Sequence, residues 1–325
     1  MLPLELLIMV FDKVNHKDLI HYSKYFEFAK LCLKKKLKTE PMSLRIAAQC
    51  GSVYVLENLL DKDKFYYELY YLADDAAENG HLSTLKWLTD KNVLPTQSVR
   101  NLTAYNGHLS VLVWLDKFYP VKYPRQYNTA MYFAIQANHF KIVKYFAYKL
   151  IERSKDHLTI YRRILREACE HGNLQVIEWV FGKCEKDRLE ENSSYTDTPT
   201  AIDLAVPNGY LDIIKYLHPL GFKPSFFSVI YASQNNHLDI LQWLHKNTDI
   251  LNENRIRDSD YALIDASKIG NKDIVRWFIQ TFEYPQDVLD LSLDNALMNC
   301  HFEIVKFLKE NTPAKNTRWF PLKHL

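Results

Sequence analysis

One short pattern returns nine times along this chain and limits its fold more than any other feature. A small residue is followed four positions later by Gly or Asn (once by Cys), and then by apolar residues at helical spacing. It reads AAQCGSVYVLENLL from Ala47, AAENGHLSTLKWL from Ala76, TAYNGHLSVLVWL from Thr103, AIQANHFKIVKYF from Ala134 and ACEHGNLQVIEWV from Ala168. It continues as AVPNGYLDIIKYL from Ala205, ASQNNHLDILQWL from Ala232, ASKIGNKDIVRWF from Ala266 and ALMNCHFEIVKFL from Ala296. The turn slot falls at Gly51, Gly80, Gly107, Asn138, Gly172, Gly209, Asn236, Gly270 and Cys300, in steps of 27 to 37 residues. Six of the eight glycines in the chain stand in this one slot, so it is predicted to end a helix with positive φ.

Two further slots recur. Four residues before the turn stands Ala in eight of nine repeats, with Thr103 the exception, and a small residue there lets neighbouring helices approach closely. Seven residues after the turn stands an aromatic in eight of nine, from Trp87 and Trp114 to Trp277 and Phe307, which predicts a core column. Apolar residues such as Leu82, Leu85 and Leu88, or Leu238, Leu241 and Leu244, share one face of a second helix. Each repeat is therefore two antiparallel helices. One such pair cannot bury its apolar face alone, and stacking of neighbours does so.

The pattern Ala-Ala-x-x-Gly-His-Leu-x-x-Leu-x-x-Leu resembles the ankyrin repeat. Gly80-His81-Leu82 and Gly107-His108-Leu109 match its Gly-His-Leu, and the period fits. Thr198-Pro199 is similar to the helix-opening Thr-Pro of that family, and Gly221-Phe222-Lys223-Pro224-Ser225 to its hairpin tip. The resemblance covers residues 41–310. The opening Thr-Pro-Leu-His is mostly missing, and steps of 27 residues leave little room for a full hairpin. The resemblance implies an all-α, ankyrin-like helical solenoid of about nine repeats that binds a protein partner on its concave face.

Residues 1–40 lack the repeat. Pro3 opens a helix, Leu6, Val10 and Val14 follow at helical spacing, and Asp18 is placed to cap a second helix. The order Leu-Pro-x-Glu-Leu, then Val10-Phe11, Asp18-Leu19 and Ser23-Lys24-x-Phe26 resembles an F-box. That resemblance implies docking of Leu2, Pro3, Leu6, Leu7, Val10 and Phe11 on the Skp adaptor of a cullin-based ubiquitin ligase, with the chain as substrate receptor. The stretch from Asp18 to Ser23 is about three residues short of the F-box pattern, and its closing Trp is absent. The other reading is a helical cap on the first repeat, and with it a plain ankyrin scaffold without a ligase link. At the far end, residues 311–325 carry Trp319, Phe320 and Leu322, which suits a tail folded over the last repeat.

Composition narrows the function classes. A net charge of +2 over 325 residues argues against bulk nucleic-acid binding, and no apolar run reaches the length that spans a bilayer. The N-terminus has no signal-peptide pattern, and five scattered cysteines, Cys32, Cys50, Cys169, Cys184 and Cys300, fit free thiols in a reducing, cytoplasmic setting. No phosphate-binding loop, His-Glu-x-x-His or Gly-x-Ser-x-Gly occurs, so no enzyme, cofactor or metal is expected. His81, His108, His139, His237 and His301 recur beside the turn, but stacked helices about 8–10 Å apart cannot bring them onto one ion. They are expected to satisfy backbone groups. The pair Asp74-Asp75 is expected near a helix start, Lys34-Lys35-Lys36 at a solvated helix end, and 183–198 as an exposed loop. Candidate contact residues of this expected monomer are the inter-repeat aromatics Tyr66, Tyr67, Phe118, Tyr119, Tyr123, Tyr127, Phe226 and Phe227.

Overall fold

A computed structural model describes residues 44–59, 66–184, 189, 199–251 and 256–315. The N-terminal segment, with Leu2, Pro3, Leu6, Leu7, Val10 and Phe11, lies outside them, as do Lys34 to Lys36 and Trp319, Phe320 and Leu322. Most of 183–198 also lies outside; Leu189 within it is buried.

The described residues are all-α, and no strand occurs among them. Two compact units divide the chain, Met1–His157 and Leu158–Leu325. Among the described residues the first holds four helix pairs: α1 (Leu44–Gln49) with α2 (Val53–Leu59), α3 (Tyr66–Glu78) with α4 (Leu82–Asp90), α5 (Val99–Tyr105) with α6 (Leu109–Phe118), and α7 (Arg125–Gln136) with α8 (Phe140–Ile151). The second begins in α9 (His157–Glu170), paired with α10 (Leu174–Phe181). There follow α11 (Ala201–Ala205) with α12 (Leu211–Leu217), α13 (Phe226–Gln234) with α14 (Leu238–Asn247), α15 (Ile256–Ile269) with α16 (Lys272–Thr281), and α17 (Gln286–Met298) with α18 (Phe302–Asn311). Within each unit the first helices of successive pairs pack side by side, α1 on α3 on α5 on α7, and α11 on α13 on α15 on α17.

The turn slot behaves as its composition predicts. All nine occupants have positive φ, from 61° at Asn138, Asn236 and Cys300 to 101° at Gly270. The next residue donates its N–H to the carbonyl of the small-residue slot, as in His81 to Ala76 (2.8 Å) and His237 to Ala232 (2.9 Å). In most repeats the turn residue donates three positions back, as in Gly80 to Ala77 (3.1 Å), which completes a Schellman motif. The small-residue slot is fully buried in every repeat, Thr103 included.

Gly107 needs to be glycine for a second reason. A Cβ there would lie 2.6 Å from Cε1 of His139, the residue beside the following turn. The His139 ring leans on the Gly107 turn, and its Nε2–H donates to the Tyr105 carbonyl at 2.8 Å. His81, His237 and His301 repeat that bond to Gln49, Pro207 and Lys268, at 2.8, 3.0 and 3.0 Å. All six glycine turns are followed one repeat on by a ring: His81, His108, His139, Tyr210, His237 or His301. Where the turn is Asn236 the follower is Asn271, whose slimmer amide donates to Ser233 O at 2.6 Å. The histidines thus satisfy backbone groups, as their spacing predicts.

Several expectations need correction. The aromatic slot is not the core column: Trp87, Trp114, Tyr145, Trp179, Tyr216, Trp243, Trp277 and Phe307 are all half-buried. The second helices instead bury the positions four, five and eight after the turn, such as Val111, Leu112 and Leu115, or Ile274, Val275 and Phe278. At 100° per residue these three share one narrow stripe, while position seven falls on its flank. A fully buried side chain of this size contributes about 1.5–3 kcal/mol. Asp74 and Asp75 lie late in α3, not at a helix start, and are buried. Asp75 accepts Arg45 at 2.7 and 2.9 Å and Gln49 at 3.1 Å, and Asp74 accepts the Thr96 N–H at 2.8 Å, so both tie successive repeats together. Asp203 does the same in the second unit, accepting Ser225 N–H at 3.0 Å and its hydroxyl at 2.6 Å, and also the Ser228 hydroxyl. Gly221 to Ser225 form no hairpin strands; Gly221 ends a short 3-10 turn at φ 94° and Ser225 caps α13. Thr200 rather than Thr198 opens α11, in a reciprocal capping box with Asp203.

Candidate functional site

Counting back from each turn, positions nine, five and two fall on one side of the first helix, turned away from the small-residue slot. In the first unit this side shows Leu102 and Tyr105 of α5, exposed at 44% and 43%, and half-buried Phe133 of α7. Tyr105 and Phe133 meet edge to face at 6.4 Å. In the second unit it shows Phe227 and Tyr231 of α13, stacked at 5.7 Å, then Tyr261 of α15 at 63% exposed, then Leu291 and Met298 of α17. Apolar side chains left in solvent on the same side of successive first helices are what an interaction surface requires. Of this set only Phe227 is among the candidates drawn from the sequence. The repeat register gives the side of the helix, and the residue types on it, apolar here but Arg163, Glu167 and Glu170 in α9, complete the signal.

The other candidate aromatics divide. Phe118 and Tyr123 are exposed, and Phe226 lies 4.5 Å from Phe227. Tyr119 is half-buried against Trp114, ring centroids 5.6 Å apart. Tyr127 is not a surface residue: it is among the largest fully buried side chains, 5.6 Å from Phe146 and under the Arg153 guanidinium. Tyr66 and Tyr67 open α3, and their side chains lie outside the described residues.

Phe118 and Tyr119 end α6 beside a groove of about 650 Å³ between α4 and α6. Its wall is pinned from below. Buried Arg100 of α5 pairs with Asp116 at 3.0 Å and donates to the carbonyls of Leu115 (3.2 Å) and Tyr119. The Tyr145 hydroxyl donates to the same Asp116 at 2.7 Å. Burial and that carboxylate hold the Tyr145 phenol well above its ordinary range, so it stays a donor. A buried pair of this kind orients what surrounds it more than it stabilises.

Among the described residues, Glu167, Glu170 and His171 bring possible metal ligands within 4.8 Å of one another. Burial, and then the charge of Glu170, raise the Glu167 carboxyl above its ordinary value. Their spacing, three and four residues at one helix end, is legible in the sequence. The described cysteines, Cys50, Cys169, Cys184 and Cys300, form no disulfide, and burial pushes the Cys169 thiol up, away from reactivity.

Serial helical hairpins closed by left-handed turns, with an apolar register face, define an ankyrin-like helical solenoid. The family model "Ankyrin repeats", in three copies, matches residues 229–318. A stretch of 175 residues, 49% of this chain, is 26% identical to Protein MGF 505-1R of African swine fever virus (isolate Tick/Malawi/Lil 20-1/1983). The match covers 30% of that protein, so the chain spans under a third of the relative's length. Ankyrin repeats indicate protein–protein interaction.

Proposed function

We propose that this chain is a non-catalytic recognition protein of the cytoplasm whose first-helix faces grip a partner protein, and that residues 1–40 join it to the Skp adaptor of a cullin-based ubiquitin ligase as a substrate receptor. The observation that supports recognition is the presence of exposed apolar side chains on one side of the first helices, Leu102 and Tyr105 in one unit and Tyr261 and Met298 in the other. Rigid helices hold these anchors in place, which lowers the ordering cost of binding. The ligase arm is supported by the Leu-Pro-x-Glu-Leu start alone. No helix among the described residues is long and apolar enough to cross a membrane.

The test is affinity purification of the intact chain with partner identification, beside Leu102→Asp/Tyr105→Asp and Tyr261→Asp/Met298→Asp. The expected result is a partner lost with one of these pairs and kept by the Leu6→Asp/Leu7→Asp variant. Purified Skp adaptor should bind wild type and not Leu6→Asp/Leu7→Asp. Failure of that arm alone leaves the scaffold reading, and indifference of every partner to the face variants removes the recognition surface.

A further inference from the structure

Charge is unevenly distributed along the chain. Residues 82–155 contain 11 Lys and Arg against 3 Asp and Glu, a net +8, whereas the whole chain carries +2. One of the three acids, Asp116, is buried against Arg100, so the exposed surface is more one-sided still. The first helices α5 and α7 contribute little to this excess; Arg100 is buried and Arg125 begins α7. The exposed cations instead follow the second helices and their ends, including Lys86 and Lys91 at α4, Lys117 at α6, Lys122, and Lys141 at α8. They are interleaved with aromatic side chains. Lys91 stands over Trp87 at 5.8 Å, Lys117 over Phe118 at 5.4 Å, and Lys122 and Arg125 over Tyr123 at 5.3 Å.

Within this basic face lies the groove between α4 and α6. Val113 and Trp114 give it an apolar wall, Phe118 is exposed at 55%, and Lys86 and Lys117 line it too, with Asp90 as the one acid. A pocket of this size accepts one or two bulky side chains. We propose that this second-helix face docks an acidic segment of a partner protein, with an apolar side chain of that segment seated in the groove and its flanking carboxylates on Lys86 and Lys117. Charge complementarity selects the class of ligand. A nucleic acid is disfavoured because Trp87, Phe118 and Tyr123 each already carry a cation from this chain on the ring, where a base would have to stack. The site is separate from the first-helix faces and stands independently of the partner proposed for them.

The experiment is fluorescence anisotropy of the intact chain with a labelled peptide in which Asp and Glu flank one Phe and one Leu. Its companions are the same peptide with Ser for Phe and Leu, one with Lys for the acids, and a single-stranded oligonucleotide. The acidic-aromatic peptide should bind, weaken as salt is raised, and lose about tenfold or more in Lys86→Glu/Lys117→Glu. Phe118→Ala should weaken it while leaving the residual acid-dependent binding in place. All substituted side chains are exposed, and circular dichroism confirms the fold. Absence of binding at low salt, indifference to the charge reversal, equal binding of the Ser peptide, or tighter binding of the oligonucleotide would each overturn the proposal.

Discussion

Replacing Gly107 by Ala perturbs two features at once, and a double-mutant cycle separates them. At φ 85° the new Cβ carries a left-handed backbone penalty of about 1–2 kcal/mol, partly offset by about 0.4–1 kcal/mol from the stiffer unfolded chain. The Cβ would also lie 2.6 Å from His139 Cε1, so the ring must leave and its bond to Tyr105 O is lost, a further ~1 kcal/mol. The expected total is about 2 kcal/mol of destabilisation, read as a shift in urea unfolding followed by circular dichroism. His139→Ala alone loses the same bond, about 1 kcal/mol. In the double variant the clash has vanished and the bond is counted once, so the two effects fall short of additive by about 1 kcal/mol. Gly182→Ala is the control: its φ is −71° and the nearest atom to a new Cβ is 3.4 Å away, so it should be within ~0.5 kcal/mol of wild type. Strict additivity would refute the claim that the ring selects the glycine.

Cys300 holds the left-handed slot at φ 61°, so Cys300→Gly should raise stability by up to about 1 kcal/mol in thermal melts. Asp203→Ala removes a fully buried acceptor of Ser225 and Ser228 and the partner in the Thr200 capping box; a loss of about 3 kcal/mol is expected in urea unfolding. Burial holds His108 below its ordinary value of 6.5, so the unfolded chain binds its proton more readily. Its contribution is therefore fully present above about pH 6.5 and declines as pH falls from there through the folded value. The stability difference between wild type and His108→Asn, taken at pH 7.5 and 5.5, should shrink or change sign at the lower pH, and a constant difference would contradict the assignment.

What the sequence shows of this fold follows from how local each feature is. The nine turns and the buried Ala slot were legible because a left-handed residue and a close helix contact each restrict residue type at one position. The aromatic slot misled because a half-buried Trp or Tyr and a buried one look alike in a repeat; only the angular position of Trp114 relative to Leu112 and Leu115 separates them. Asp74 and Asp75 misled because their partners, Thr96 and Arg45, lie in neighbouring repeats, 22 and 30 residues away. The face of Leu102, Tyr105 and Tyr261 is less local: it runs along the first helices, and only the packing of neighbouring repeats decides which side of each helix stays in solvent. Tyr127, expected at the surface, belongs to α7 and not to the segment before it, and α7 buries it.

Hydrogen–deuterium exchange of the intact chain, free and with its captured partner, tests most directly whether stacked first helices form the gripping surface. Slowed exchange in α5 and α7, or in α13, α15 and α17, is the expected result. Unchanged exchange throughout those five helices while the partner is bound would contradict it.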